Sequence, residues 1–209
     1  MSALKIASLI ILAYLIGSFP TGVIVGKLFF HKDIRKYGSG NIGTTNTFRV
    51  LGPIAGIVVF LIDFFKGTLA TLLPVIFHLG PHYLCLFFGL AAILGHAFSI
   101  FLKFKGGKAV ATSAGFLLGY NVHFFLICAI IFIPTLFITS MVSLSSLISI
   151  VLIFIASFFF HDIALSIISG LLVILIYWSH RSNIKRLEHH QENMVPFGIL
   201  YWYKKSHQK

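Results

Sequence analysis

The chain has 209 residues, of which 58% are hydrophobic and 10% charged, so it is not an ordinary soluble domain, where about a quarter of residues are charged. Because a membrane-spanning helix needs about 20 apolar residues, the length holds about five to seven spans and excludes a large soluble catalytic domain. Sixteen Lys and Arg against five Asp and Glu give a formal net charge of +11, which suits nucleic acid, anionic lipid or a phosphorylated substrate.

The apolar stretches predict seven membrane spans in chain order. The stretch 109–138 is long for one crossing, and a turn near residue 121 divides it into two. A five-span arrangement keeps the same orientation but leaves overlong helices. The first span has no small-residue cleavage site and is predicted to be a retained helix rather than a signal peptide. The spans are expected at about 4–25, 50–79, 83–102, 109–120, 122–138, 147–160 and 163–179.

The cations predict the orientation of these spans. Fourteen of the sixteen lie in three segments, 27–49, 103–108 and 181–209, which the seven-span arrangement puts on one side. The positive-inside rule makes that side cytoplasmic, with the N-terminus outside and the C-terminus inside. Tyr201–Lys205 are typical of an interfacial anchor. The sequence thus predicts an all-α polytopic membrane protein with a single domain over residues 1–209.

Two opposite charges interrupt the second span. Asp63 and Lys66 are three residues apart, so one helical face can pair them, and the cost of an unpaired charge in hydrocarbon makes a pair expected. Whether this pair is structural or faces a functional site stays open. Cys85 and Cys128 lie in apolar runs and predict neither a disulfide nor a metal site.

A first polar segment, residues 38–49, has the composition of an anion-binding loop. Three glycines allow the backbone to approach an anion closely, with amide N–H groups turned inward as in a nest. Ser39, Thr45 and Asn46 add neutral donors, and Arg49 can bind two phosphate oxygens at once. The alternative is a flexible loop at the membrane edge with a basic flank.

A second segment, residues 95–112, combines Lys and Gly before a predicted helix. Lys105 and Lys108 bracket two glycines where the helix dipole favours a phosphate, although the spacing is not that of a Walker A loop. Lys103 is better explained as a membrane anchor. His96 is either a buried histidine bonded to a neighbouring carbonyl or a functional residue, and the sequence favours neither.

A third segment begins at His180. On a helix His180 and Asn183 share a face, with Arg186 one turn further, which suits a phosphorylated substrate that must lose a proton. The alternative, an ordinary helix end with cations at its C-terminus, has equal weight.

Together, these segments occur in the order and spacing of one family. The chain resembles the bacterial membrane acyl-phosphate:glycerol-3-phosphate acyltransferases over essentially its whole length. The resemblance implies a seven-helix enzyme of the bacterial cytoplasmic (inner) membrane with its active site facing the cytoplasm. Its reaction would move a fatty acyl group from acyl phosphate to the 1-hydroxyl of glycerol 3-phosphate, giving lysophosphatidic acid and phosphate. No metal or other cofactor is implied; the partners are the two substrates and membrane lipid, with no nucleic acid, and protein partners are unknown.

The resemblance also implies site residues by position. Catalytic roles fall on Ser39, Arg49, His180 and Asn183. Substrate-binding roles fall on Gly40, Asn41, Thr45, Asn46, Lys105, Gly106, Gly107, Lys108, Ser143, Ser146 and Glu192, of which the two serines match less closely. The helical face shared with His180 and Asn183 adds Arg186 to the substrate-binding residues.

The chain departs from the family pattern at five positions. Thr44 stands where Ala is usual, Ser99 where Pro is usual and Ala109 where Gly is common. His190 replaces a usual Gly and Met194 a usual Lys, which puts the geometry around Glu192 in question.

Three rival functions fit the sequence less well. A transporter of phosphate or a phosphorylated solute predicts cations on both faces of a midplane site, whereas these cluster on one side. Soluble-type glycerophosphate acyltransferases need a His and an Asp with four residues between them, a spacing that does not occur here. Nucleic-acid binding needs cations interleaved with exposed aromatic residues rather than beside glycines.

Overall fold

The computed structural model describes residues 3–207, and within them all regular structure is helical. The outermost residues of the predicted domain 1–209, including Lys209, lie outside the described residues. The chain divides after Val122 into two compact units, each with its own packing. A single functional domain over residues 1–209 stays a prediction.

The first unit contains six α-helices among its described residues. Pro20 separates the first two, because proline lacks an amide proton and cannot continue the hydrogen-bond ladder of the preceding helix. Gly52 has a φ of 89° and turns the chain into a helix whose first residue is Pro53. The helices are α1 (Ala3–Ser18), α2 (Thr21–Phe30), α3 (Thr44–Leu51), α4 (Pro53–Ile76), α5 (Leu84–Ala97) and α6 (Val110–Tyr120).

The second unit contains the remaining five helices of the described chain. Asp162 caps one of them, since its Oδ1 accepts the backbone N–H of Leu165 at 3.0 Å. The helices are α7 (Val122–Thr139), α8 (Val142–Ser157), α9 (Ile163–Ser179), α10 (Arg181–Glu188) and α11 (Ile199–His207).

Two of the predicted breaks coincide with helix ends in the structure, and the first predicted span does not form one helix. The break near residue 121 is present, because Asn121 is extended between α6 and α7, and the last predicted span coincides with α9. The first predicted span is wrong as a continuous helix, since α1 and α2 meet at a 45° bend. By length and composition, four helices of the described chain can cross a membrane, or six if each bent pair is one span.

Helix α4 is the centre of the first unit. It packs against α1, α3, α5 and α6. Small residues let α4 and α6 approach closely: a Cβ added at Gly67 would collide with the carbonyl oxygen of Thr112, and one at Gly115 with that of Phe64. This contact fixes the start of α6, the helix that follows the second polar segment.

In the second unit, Ser140 anchors the chain that follows α10. Ser140 lies between α7 and α8 with a φ of 53°. Its carbonyl accepts the N–H of Val195 at 2.8 Å, and its hydroxyl accepts the N–H of Tyr201 at 3.0 Å. Trp202 packs edge-on against Phe137 with ring centroids 5.5 Å apart. These contacts hold the start of α11 against the end of α7.

Candidate active site

The side chain of Asn46 organises the first polar segment. It is 2% exposed. Its amide nitrogen donates to the carbonyl oxygens of Ile34, Tyr37 and Asn41 at 3.0, 3.2 and 2.9 Å. Its Oδ1 accepts the N–H of Ser39 at 2.9 Å. These bonds occupy Asn46 with the shape of its own loop, and its predicted contact with substrate stays a prediction.

The same loop uses its backbone amides internally, which differs from the predicted nest. Gly40 donates its N–H to Tyr37 at 3.0 Å, and Gly43 donates to Oδ1 of Asn41 at 2.9 Å. Local carbonyl and side-chain acceptors therefore take two of the N–H groups that the nest interpretation assigned to an anion. Anion binding by this loop stays a prediction, and the loop also presents side chains outward.

Two of these side chains, Ser39 and Arg49, are exposed. Arg49 lies on α3 beside Gly38, where an added Cβ would be 3.4 Å from Arg49 Cδ. Thr45, on the first turn of α3, is half-buried. Arg49 is in the last turn of α3, and its guanidinium can bind two phosphate oxygens at once.

The second polar segment folds back along the end of α5. Gly106 donates its N–H to the carbonyl of Ala97 at 3.1 Å, and Gly107 donates to that of His96 at 3.0 Å. Lys105 is exposed and Lys108 half-buried. The chain then enters α6 directly, as predicted, so Lys108 lies close to the positive end of a helix dipole.

The predicted Asp63–Lys66 pair is present and buried inside the first unit. Lys66 Nζ lies 2.7 Å from Asp63 Oδ1, which also accepts the hydroxyl of Thr21 at 2.8 Å. Lys66 donates in addition to the carbonyl of Phe19 at 3.0 Å. That carbonyl lies in the break between α1 and α2, so the pair satisfies a backbone group that the break releases. These contacts support the structural one of the two predicted roles.

The third polar segment, in the second unit, is centred on His180 at the start of α10. The His180 ring is 1% exposed, and its Nδ1 lies 2.8 Å from the carbonyl of Ile176. Because a carbonyl only accepts, Nδ1 donates in this contact, and in the neutral ring Nε2 is then the nitrogen with the lone pair. This tautomer is the one that a general base acting through Nε2 requires.

Glu192 joins the other two polar residues of this segment. Its Oε1 accepts the amide of Asn183 at 3.0 Å, and its Oε2 accepts Nε of Arg186 at 2.9 Å. Each carboxylate oxygen thus orients one donor on successive turns of α10. The departures at His190 and Met194 leave this bridge in place.

The two serines of α8 lie one turn apart. Ser146 is bonded to the carbonyl of Val142 at 2.7 Å. The hydroxyl of Ser143 is buried and has no hydrogen-bond partner among the described residues. A hydroxyl in that state can donate to a ligand.

Residues that the sequence did not single out complete these groups. Thr21 supports Asp63, and Thr112 contacts His96, with Oγ1 at 3.2 Å from Nδ1. No local pattern marks either threonine, because each acts across helices. Residues 3–207 hold no cluster of three His, Cys, Asp or Glu side chains suited to a metal.

The apolar helices define a multi-pass membrane protein with cations set beside glycines and short polar side chains. A family model described as glycerol-3-phosphate acyltransferase matches residues 7–190, and the chain belongs to that family.

The comparisons with individual proteins agree with this family. The chain is 87% identical over 209 residues to glycerol-3-phosphate acyltransferase 2 of Lactobacillus acidophilus, covering 100% of this chain and 99% of the relative. It is 57% identical to glycerol-3-phosphate acyltransferase of Latilactobacillus sakei, covering 97% and 98%. Among solved structures it resembles PlsY (YgiH), an integral membrane glycerol 3-phosphate acyltransferase, in its glycerol 3-phosphate form, with a TM-score of 0.84 and 33% identity over 91% of this chain and 96% of that one.

Proposed function

We propose that the protein transfers a fatty acyl group from acyl phosphate to the 1-hydroxyl of glycerol 3-phosphate, producing lysophosphatidic acid and phosphate in phospholipid synthesis. One observation carries the proposal: the chain shares its fold over 91% of its length, at 33% identity, with an enzyme solved in its glycerol 3-phosphate form. A second structure of that enzyme, in a lysophosphatidic acid form, also matches, with a TM-score of 0.77.

The proposed reaction is a direct acyl transfer. The glycerol oxygen forms a bond to the acyl carbonyl carbon, the bond from that carbon to the phosphate oxygen breaks, and phosphate leaves. Acyl phosphate is a mixed anhydride and already activated, so the step needs no acyl-enzyme intermediate and no cofactor. Placing the hydroxyl against the carbonyl lowers the barrier by up to several kcal/mol, and fixed donors stabilise the charge that develops.

The polar groups suggest a division of roles. We assign phosphate binding to Arg49, to Lys105 or Lys108, and to Asn183. The cations among them form charge-assisted hydrogen bonds, and Glu192 holds the Asn183 amide in one orientation. Ser39, Thr45 and the buried hydroxyl of Ser143 would add neutral donors.

The proton of the glycerol hydroxyl passes either to Nε2 of His180 or to a phosphate oxygen of the donor. Replacement of the imidazole distinguishes the two. If His180 is the base, His180→Ala lowers kcat by at least about 100-fold, whereas near-normal turnover would make His180 at most a binding residue.

We further propose seven spans in the bacterial cytoplasmic membrane, with the N-terminus outside and the active site facing the cytoplasm. The two bent helix pairs and four long helices give six crossings, and α6, an apolar helix of eleven residues, would be the seventh. The one-sided distribution of Lys and Arg supports this orientation.

The experiment that tests the activity is turnover by the purified protein in detergent or lipid. Glycerol 3-phosphate is supplied with either palmitoyl phosphate or palmitoyl-CoA, and lysophosphatidic acid is measured. We expect product with palmitoyl phosphate only. Arg49→Gln should abolish most of it, while Lys36→Gln, which removes an exposed cation of the same basic segment, should not. If neither donor gives product and proteoliposomes take up a phosphorylated solute, the protein is a transporter and the proposed enzyme activity is wrong.

A further inference from the structure

His96 connects the buried charge pair of the first unit to the glycines of the second polar segment. It lies in the last turn of α5 and is 5% exposed. Its backbone carbonyl accepts the N–H of Gly107 at 3.0 Å. The residue therefore contacts the segment through its main chain, and the position of its ring decides whether it also does so through its side chain.

The ring fills the space between that segment and the helices behind it. Nδ1 lies 3.2 Å from Thr112 Oγ1 on α6 and 3.9 Å from Asp63 Oδ1 on α4. On the opposite edge Nε2 lies against Gly107, where an added Cβ would collide with it. The imidazole is thus held from behind by two helices and leaves room for glycine alone in front.

The neighbouring glycine meets a different obstacle. A Cβ at Gly106 would collide with the carbonyl oxygens of His96 and Ala97, which belong to the backbone of α5. Backbone at the end of a packed helix cannot move aside, whereas a side chain can be removed by mutation. The two glycines are therefore required for separate reasons, and only the requirement at Gly107 depends on the His96 ring.

We propose that His96 is a positioning residue, whose ring presses Gly106–Lys108 into the conformation in which Lys108 and the start of α6 bind the phosphate group of a substrate. The inference rests on the proposed function and adds to it a residue that acts through the segment rather than on the reacting atoms. The ligand chemistry is a phosphate group, supplied by glycerol 3-phosphate or by acyl phosphate. Without the ring, Gly107 loses the side chain against which it packs, and Gly106–Lys108 can adopt other conformations. The phosphate site then loses its shape, while the reacting groups stay unchanged.

The test is a double-mutant cycle read in KM and kcat. The single variants are His96→Ala, Gly107→Ala and Gly106→Ala, and each glycine variant is also made together with His96→Ala. We expect His96→Ala to raise KM for one of the two substrates by about 10-fold and to change kcat by less than about 3-fold. The substrate whose KM rises identifies the phosphate that the segment binds.

The cycle separates the two glycines. Gly107→Ala alone should raise the same KM, and in the His96→Ala background it should add less than about 2-fold, because the atom it collides with is gone. Gly106→Ala should impair the enzyme equally in both backgrounds, since its obstacle is backbone, and it is the matched control. If Gly107→Ala raises KM in the His96→Ala background by as much as it does in the wild type, the proposal is overturned.

A milder substitution serves as the control for misfolding of the His96→Ala variant. His96→Asn keeps a polar group able to bond with Thr112, so we expect KM between those of the wild type and His96→Ala, with a near-normal Tm in detergent. If His96→Ala does not fold, the same cycle is made with His96→Asn, whose shorter side chain also relieves the collision. A change in kcat alone, or a fall in Tm with KM unchanged, would make His96 merely structural. The wild type is assayed beside every variant, so its inactivity would refute the proposed acyl transfer and not the positioning of the segment.

Discussion

Within residues 3–207, eight residues other than glycine have left-handed backbone, and two of them are positions at which the chain departs from the family pattern. Ala109, which begins α6, has a φ of 58°, and His190, beyond α10, has a φ of 56°. The resemblance described above implies Gly at both positions. The departures seen in the sequence therefore coincide with left-handed backbone, which costs a residue with a Cβ about 1–2 kcal/mol.

Ala109→Gly and His190→Gly should therefore stabilise the protein, each by about 0.5–1 kcal/mol after the greater chain entropy of glycine in the unfolded state is subtracted. The measurement is Tm in detergent. Ala111→Gly, inside α6, is the control and should destabilise by about 1 kcal/mol. A loss of stability for all three variants would contradict the strain at residues 109 and 190.

Asp33 gives a second prediction at the same scale, in the connection between α2 and α3. Arg35 contacts both of its carboxylate oxygens, at 2.9 and 2.5 Å, and Lys27 is 3.8 Å away. The Arg35 side-chain bond is the largest cause that holds the Asp33 pKa at about 2, below its usual 3.8. A carboxyl whose pKa is lowered by folding stabilises the protein above its unfolded pKa, and this contribution is lost as pH falls through the folded value.

Asp33→Asn should therefore lower Tm at pH 7 and at pH 5 by the same amount, and the difference from the wild type should shrink between about pH 4 and pH 2. Tm is followed across that range by intrinsic fluorescence. In an Arg35→Gln background the Asn substitution should have a much smaller effect at pH 7, because the main partner is absent. A difference that stays constant to pH 2 would show that the carboxylate charge is not what stabilises.

At the scale of elements, the Asp63–Lys66 pair ties α4 to the break between α1 and α2. Lys66→Met leaves a buried carboxylate without its cation, and we expect it to cost about 3–5 kcal/mol. The pair also has a polarity, since Lys66 donates to the Phe19 carbonyl and Asp63 accepts from Thr21. Exchange of the two residues, Asp63→Lys with Lys66→Asp, should not restore Tm, because it sets a carboxylate against that carbonyl. Recovery of the wild-type Tm in the exchanged variant would mean that only the pairing of charges matters.

Elements of this fold were predictable where polar residues interrupt apolar ones. Helix α9 and the break at Asn121 follow directly from composition. The separation of α1 from α2 was not predicted, because Pro20 lies in a stretch that is apolar on both sides. Hydrophobic periodicity gives little help here, since a helix in lipid is apolar on every face and its packing partners leave no pattern.

The candidate site, like the helices, was predictable only in part. Its polar segments were predictable because Gly, Lys and Asn stand out in an apolar chain, but the contacts of each side chain were not. Asn46 directs its amide to the loop, and Glu192 bonds both Asn183 and Arg186. These partners lie 5 to 12 residues apart, joined by turns whose geometry the sequence does not specify.

At the scale of the whole molecule, we propose that the charge of +11 combines an orientation signal with a binding site. Cations such as Lys36, Lys103 and Lys204 are exposed and would serve the orientation of the chain, whereas Arg49, Lys108 and Arg186 lie beside glycines or a carboxylate. The first group predicts the side of the membrane on which each connection lies, and the number of spans decides where the connections after residue 109 lie.

Single cysteines test that arrangement in a chain where Cys85 and Cys128, both buried, are replaced by Ala. Seven spans with the N-terminus outside put His82→Cys and His161→Cys outside the cell and Lys36→Cys and Lys103→Cys inside. An impermeant maleimide should therefore label the first two in intact cells and the second two only after permeabilisation. Position 161 decides the number of spans, because five spans would bury it within a single crossing from 143 to 179 and protect it in both conditions. Labelling of Lys36→Cys in intact cells would instead mean that the orientation is the reverse of the one proposed. The basic segment 27–49 would then face outward, against the field that orients membrane helices.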